Sequence, residues 1–327
     1  MLLQLYIRKA QHDIKGKIQN SFINREQILE KAKPHPIGYI NDWGEMKMPD
    51  GSWKYVGKKG HSHEAAKELI KQGYSLGQKS VEKTKTKLIH YSELDTNSAK
   101  FAGGSGGAYI MTDKSGGNKV IIKKEEVGEE GMKNSKQHLI SEQLTDELYT
   151  VLGINSSESE IQELKGGKIV KVSKFIEGRN LNSLFSDPQS FEIVREELKK
   201  GFVADCLFLN WDVIGLEYDN IIVDSNLQPH RVDNGGSLLY RAKSGFKNES
   251  VLTTEVTEID SLRSSRSASG STIFGDITDE QIRSQVEDIV GKKDRVIKTI
   301  QKSKLENKEY VSKLISSRID WLNERWL

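Results

Sequence analysis

A single cysteine, Cys206, excludes an internal disulfide, and its place in the apolar run GFVADCLFLNW makes it a small buried hydrophobe with no chemistry of its own. Nowhere does the chain approach the roughly 20 consecutive apolar residues of a membrane span, and MLLQLYIRKAQHDIKGK at its start is too polar for a secretion signal. The expectation is a cytoplasmic protein without membrane insertion. An excess of one charge is lacking too. Lys and Arg number 49 against 47 Asp and Glu, and a formal net charge of +2 gives DNA, RNA or an anionic surface no general hold. A zinc constellation is also missing: HSHEAAK lacks the second histidine of HExxH, which leaves His61 and His63 as polar residues at a helix entry.

What is present is a chain of 327 residues, long enough for more than one lobe. Residues 1–90 read as an accessory segment. LLQLYIRKA is a candidate strand, and INREQILEKAK a short helix ended by Pro34 and Pro36. GEMKMPDGSWKYVGK is a hairpin turning at Pro49, Asp50 and Gly51, HSHEAAKELIKQGYS a helix, and KSVEKTKTK a charged linker. From Leu88 the texture changes. FAGGSGGAYIMTD is a glycine turn feeding a strand, and GGNKVIIKKEE is a second strand. HLISEQLTDELYTVLGI is a helix with apolar Ile140, Leu144, Leu148, Val151 and Leu152, and GGKIVKVSKFIEG is a further strand or strand pair. This predicts an α+β chain with a small β-rich lobe over 91–177 and a helical lobe over 178–327. Within the latter, SLRSSRSASGST reads as a disordered surface loop, and Thr278 with Gln281 as a capping box.

Several stretches carry chemistry. In GGSGG, the glycines Gly103, Gly104 and Gly106 let backbone amides approach a phosphate closely, and Ser105 adds a hydroxyl; taken alone the motif is equally a hairpin turn. VIIKK ends a strand in lysine. Matched to the strand lysine of nucleotide-binding lobes it selects Lys123 as the inward ammonium, with Lys124, on the opposite face, as the fallback. A carboxylate partner comes from the following helix, Glu142 by preference and Glu147 as the alternative. The stretch NWDVIGLEYDNIIVDSNLQPHRVDNGG then supplies hard oxygen ligands. Asp212 suits a group that orients or deprotonates an attacking hydroxyl, while Asn220 and Asp233 bracket one hairpin as metal ligands. Asp224, with Ser225 and Asn226, reads as the hairpin turn, and Asp219 is undecided.

The order GGSGG, VIIK, helix Glu, FIEG, NWD, DNIIVD, VDNGG resembles the atypical protein-kinase-like fold of the HipA-like kinases and the phosphatidylinositol-kinase-like superfamily, including its actin-fragmin kinase branch. It is also similar to an uncharacterised bacterial and phage-associated group with NWD and RVDNGG patterns. The resemblance spans residues from about 95 to 327, and its specific part is the helical-lobe stretch. It implies a bilobal protein-kinase-like fold, ATP and Mg2+ as cofactors, and Asp212 as the catalytic aspartate. Lys123 becomes the phosphate-pairing lysine with Glu142 as its partner, and Asn220 and Asp233 the metal ligands. KFIEG becomes a hinge whose backbone near Phe175 and Glu177 meets adenine. Two features depart from that pattern. Asp212 and Asn220 stand eight positions apart where about five is usual, and Val213 replaces the basic or histidine residue that commonly follows the aspartate. The metal loop reads DNG where kinases carry DFG.

The function expected is transfer of the γ-phosphoryl of ATP to a Ser or Thr hydroxyl of a protein, with Ser105 and the Ser/Arg-rich stretch as candidate autophosphorylation sites. The same pocket suits a small-molecule or lipid kinase or a nucleotidyl transferase, and a pseudokinase or phage-associated binding module is the non-enzymatic alternative.

Overall fold

A computed structural model describes residues 45–47, 53–55, 88–103, 107–125, 135–241, 245–265 and 267–327. The chain divides into two compact units, 1–87 and 88–327. In the first, β1 (Glu45–Lys47) and β2 (Trp53–Tyr55) pair antiparallel with Met46 opposite Lys54, where the alternating sequence predicts a hairpin. Its turn at Pro49 to Gly51, the strand expected at 2–10, the helices expected at 23–33 and 61–75 and the linker at 79–87 lie outside the described residues.

The second unit opens with an antiparallel sheet of five strands. These are β3 (Leu94–Gly103), β4 (Ala108–Asp113), β5 (Lys119–Lys124), β6 (Ser159–Glu163) and β7 (Ile169–Lys174), in the spatial order β3-β4-β5-β7-β6. Strand alternation splits the two faces. Val120, Ile122, Val170 and Val172 join Leu94 and Met111 in a small core on one side. Lys123 and Lys171, paired across β5 and β7, face the other side, where α1 (Lys136–Leu152) packs against β6 and β7. That helix starts where Ser135 accepts a hydrogen bond from His138 N, and it ends at Gly153, whose φ of 82° is the left-handed conformation of a helix stop. β6, an edge strand of sequence SEIQE, has too little apolar alternation to be foreseen.

The remainder is a helical lobe with a three-stranded sheet ordered β10-β9-β8, formed by β8 (Arg179–Asn180), β9 (Ile221–Val223) and β10 (Pro229–Arg231). Its helices are α2 (Pro188–Lys199), α3 (Phe202–Leu207), α4 (Glu258–Arg263), α5 (Ala268–Phe274), α6 (Asp279–Gly291), α7 (Lys293–Lys302) and α8 (Lys308–Trp326). Leu144 and Leu148 of α1 share one buried cluster with Phe202, Phe208, Ile282 and Ile315, so this helix belongs to the larger core as well as to the sheet. Thr278 and Gln281 form the reciprocal capping box at the head of α6.

The architecture is therefore α+β and bilobal, a small antiparallel sheet lobe followed by a helical lobe, as expected. One expectation is corrected. SLRSSRSASGST is not a disordered loop: its described residues fall in α4, α5 and the tight turn between them. Leu262, Ile273 and Phe274 are buried, and Gly270 lets the two helices close, because a methyl group there would lie 2.5 Å from Leu262 O. Composition hid these anchors among serines. Among the described residues, no helix is long and apolar enough to cross a membrane.

Candidate active site

On β5, alternation turns Lys123 toward α1 and Lys124 to the opposite face, where the Lys124 ammonium lies 5.3 Å from the centre of the Tyr91 ring. Lys123 is 6% exposed and bridges two carboxylates: its Nζ donates to Glu142 Oε1 at 2.8 Å and to Asp233 Oδ1 at 2.6 Å. Lys123 and Asp233, 110 positions apart, are thus held together. Glu142, not Glu147, is the α1 carboxylate that meets it. Burial opposes charge on Lys123, but Asp233 and Glu142 more than offset it and hold the ammonium above the usual lysine value. Burial likewise opposes ionisation of Glu142, and Lys123 and Lys171 overcome it, so the carboxyl lies well below its usual range.

Asp212 follows α3 in a loop longer than the usual spacing. Val213 and Ile214 insert into the core, Gly215 N donates to Asp212 O at 3.0 Å, and Asn220 Nδ2 folds back onto the same carbonyl at 2.7 Å. The longer spacing is absorbed in a compact turn that returns Asn220 to Asp212. Leu216, 88% exposed, is the tip of that turn. Val232 N then donates to Asn220 O at 2.9 Å, which sets Asp233 beside them. Burial and the nearby charges of Asp233 and Asp219 raise the Asp212 pKa. Asp224 accepts from Asn226 N and Gln228 N and is the hairpin turn.

The backbone around this cluster is strained. Leu209, Asp233 and Leu238 have φ of 54°, 54° and 52°, and Leu238 N donates to Phe208 O at 2.7 Å, pinning one strained segment to the other. Such conformations cost on the order of 1–3 kcal/mol each and persist only when the surroundings over-determine them. Gly235 is required by close approach, since a methyl group there would stand 2.8 Å from His138 Nε2 and 3.4 Å from Glu142 Oε2. The His138 Nε2–H donates to Gly235 O at 2.9 Å, and burial lowers the imidazole pKa.

Sequence reasoning missed the polar residues behind Lys123. Lys171 Nζ donates to Glu142 Oε1 at 2.8 Å and lies 2.7 Å from Asp146 Oδ2. Asp146 also accepts from Ser159 Oγ, Ser156 Oγ and Asn234 Nδ2. From Asn234 the chain runs through Asn210 to Tyr149, Asp205 and Arg231, all buried. A signal was available: Glu142 and Asp146 are four apart on one helix face, and Lys171 sits mid-strand between valines.

At the expected hinge, Phe175 to Glu177 belong to neither strand nor helix. The side chains of Phe175 and Glu177 meet Lys119, whose Nζ lies 5.0 Å from the Phe175 ring centre and 3.0 Å from Glu177 Oε1. Gly103 closes β3, while Gly104, Ser105 and Gly106 lie outside the described residues. A cavity of about 460 Å³ opens elsewhere, between Ile154, Lys199, Ala204 and α6; it shares no residue with the Lys123 cluster.

The elements follow in the order of a sheet with an inward lysine, a helix with its carboxylate, a connecting segment, then a helical lobe with carboxylates around a hairpin. No protein-family model and no curated protein matches the sequence. Among solved structures, the chain is similar to the crystal structure of a Helicobacter pylori proinflammatory kinase, CtkA, with 14% identity and a TM-score of 0.46 over 71% of this chain and 95% of that one.

Proposed function

We propose that the protein is an ATP- and Mg2+-dependent kinase that transfers the γ-phosphoryl group to a Ser or Thr hydroxyl of a protein. The observation that carries this reading is the meeting on Lys123 of Glu142 from the helix and Asp233 from the hairpin, with Asn220 folded back beside Asp212. Phosphoryl transfer needs positioned charge more than covalent help, and this set supplies it. Lys123, kept charged by its carboxylates, binds phosphate oxygens. Glu142 fixes where that ammonium points. Asp212, with its pKa raised, is suited to take the proton of an attacking hydroxyl.

The donor set fits Mg2+. This ion is held by one or two side-chain oxygens together with phosphates and water. Asn220 commits its amide nitrogen to Asp212 O, which leaves its oxygen as the free end, and Asp233 offers a half-exposed carboxylate. Asp212, Asp219 and Asp233 crowd negative charge that a cation relieves. Two protein oxygens, from Asn220 and Asp233, suit an ion whose remaining ligands are phosphate and water. When bound, it neutralises charge on the transferring group. The hinge side chains are occupied by Lys119, which leaves the 175–177 backbone for adenine.

A protein acceptor is supported by the apolar rim at Asp212, where Trp211 is 41% exposed and Leu216 88%. Such a rim suits a polypeptide better than a sugar, and the reading agrees with the HipA-like resemblance of the sequence. Autophosphorylation at Ser105 or at Ser264 to Ser271 belongs to the same reading. The test is incubation of wild type and Asp212→Ala with γ-labelled and α-labelled ATP, followed by mass spectrometry. Hydroxyl-bound γ label on protein, absent from the variant, is the expected result. Label retained from the α position means nucleotidyl transfer, label on a small molecule or lipid means that kind of kinase, and neither label nor stabilisation by ATP with Mg2+ means an inert binding module.

A further inference from the structure

The residue after Asp233 sits where the buried polar chain crosses between segments. Asn234 is 1% exposed. Its Nδ2 donates to Asp146 Oδ1 at 2.8 Å and to Ser156 Oγ at 3.0 Å, and its Oδ1 accepts from Asn210 Nδ2 at 3.3 Å. One amide therefore joins three pieces of chain: α1, which carries Glu142; the segment two residues before Asp212; and the loop that carries Asp233. On the α1 side the connection continues through Lys171 to Glu142 Oε1, the oxygen that also receives Lys123.

We propose that Asn234 is a positioning residue of the transfer site. Held by Asp146 on one side and Asn210 on the other, its side chain fixes where Asp233 stands relative to Asp212 and Lys123. The inference rests on the phosphotransfer reading above and deepens it. Three observations support it. Asp233 has a φ of 54°, a conformation that its neighbours must maintain. An amide is the side chain of this shape that can donate to a carboxylate while accepting from another amide; aspartate cannot donate when ionised, and leucine can do neither. Asp146 is full of donors, from Lys171, Ser156, Ser159 and Asn234, so a second carboxylate brought against it meets repulsion instead of a bond.

The exchange of the two groups gives the test. In Asp146→Asn with Asn234→Asp, residue 146 becomes the amide donor and residue 234 the acceptor, and the contact is rebuilt with donor and acceptor reversed. The full-length protein would be titrated with Mg2+ at fixed ATP, reading the metal concentration for half-maximal thermal stabilisation, and separately with ATP at saturating Mg2+. Asn234→Asp alone is expected to need on the order of 10- to 100-fold more Mg2+, the loss of one charge-assisted hydrogen bond, with a smaller change in the ATP requirement. The exchange variant is expected to return toward wild type. If Asn234→Asp does not fold, Asn234→Ser, which adds no charge, takes its place in both titrations.

An unchanged Mg2+ requirement in the single variant overturns the proposal while wild type still responds to ATP and Mg2+. Wild type that does not respond at all overturns the kinase reading and this inference with it.

Discussion

Lys123 and Lys171 stand directly opposite one another on β5 and β7, and both donate to the same oxygen, Glu142 Oε1, at 2.8 Å. Like charges facing across a sheet repel. The pair is tolerated because Glu142, Asp146 and Asp233 surround it with opposite charge.

Glu142 is the shared element, so its neutral isostere is the most damaging change to that cluster. Breaking a buried ion pair from one side costs about 3–5 kcal/mol. Glu142→Gln is expected to lower the urea midpoint accordingly without altering the slope of the transition. A loss under about 1 kcal/mol would show that the two ammonium groups do not depend on this carboxylate.

On the proposed function, Asp212 serves the chemistry and Asp233 the binding of the metal and nucleotide. Asp212→Asn is expected to lower the transfer rate by about 10²- to 10⁴-fold, the range for a lost general base, while keeping stabilisation by ATP with Mg2+. Asp233→Ala is expected to lose that stabilisation. Calorimetry in parallel with a labelled-ATP assay checks both, and an active Asp212→Asn protein removes Asp212 from the catalytic role.

Lys247 sets a pH dependence. It is 4% exposed, donates to Gly236 O at 2.7 Å and to Tyr240 O, and lies 5.4 Å from the Trp211 ring centre. Burial, only partly opposed by Glu258, lowers its pKa from the ordinary lysine value to about 7. Between those values the unfolded chain binds more protons than the native one, so stability rises with pH from about 7 and levels off near the free lysine value. Lys247→Met is expected to flatten that rise in denaturation measured from pH 6 to 10. An unchanged slope would place the titrating group elsewhere.

Two glycines give opposite outcomes. Gly270→Ala brings a methyl group to 2.5 Å from Leu262 O, a backbone atom that cannot step aside, and is expected to cost about 1–3 kcal/mol. Gly291→Ala at the end of α6 meets nothing within 4 Å and is expected to gain a few tenths to about 1 kcal/mol. Thermal melts of the two variants should move in opposite directions.

What could be read from the sequence was periodic or local. Alternation along VIIKK separated Lys123 from Lys124, and apolar spacing found α1 with Glu142 near its start. The stretch from Asn210 to Gly236 yielded Asp212, Asn220 and Asp233 from the chemistry of hard ligands, and these three do converge. Lys171, Asp146 and Asn234 escaped because charged and amide residues are ordinarily exposed, and their burial depends on distant partners such as Glu142, 29 positions from Lys171, and Asp146, 88 positions from Asn234. The compact turn after Asp212 was equally unreadable. It is made by Val213 and Ile214 finding a core, and by one amide returning to a carbonyl. The Ser/Arg-rich stretch shows the reverse error, in which composition outweighed the few apolar anchors that fold it.

The line of hydrogen bonds from Lys171 through Asp146, Asn234 and Asn210 to Tyr149 has a mechanical consequence. Apolar contacts fix α1 by shape, since close-packed side chains resist displacement but set no bond angle. Hydrogen bonds weaken steeply once their angle falls below about 120°. A helix seated on such bonds is held in register by their direction as well as by its packing. The α1 seat therefore places Glu142 by bond angle as well as by burial.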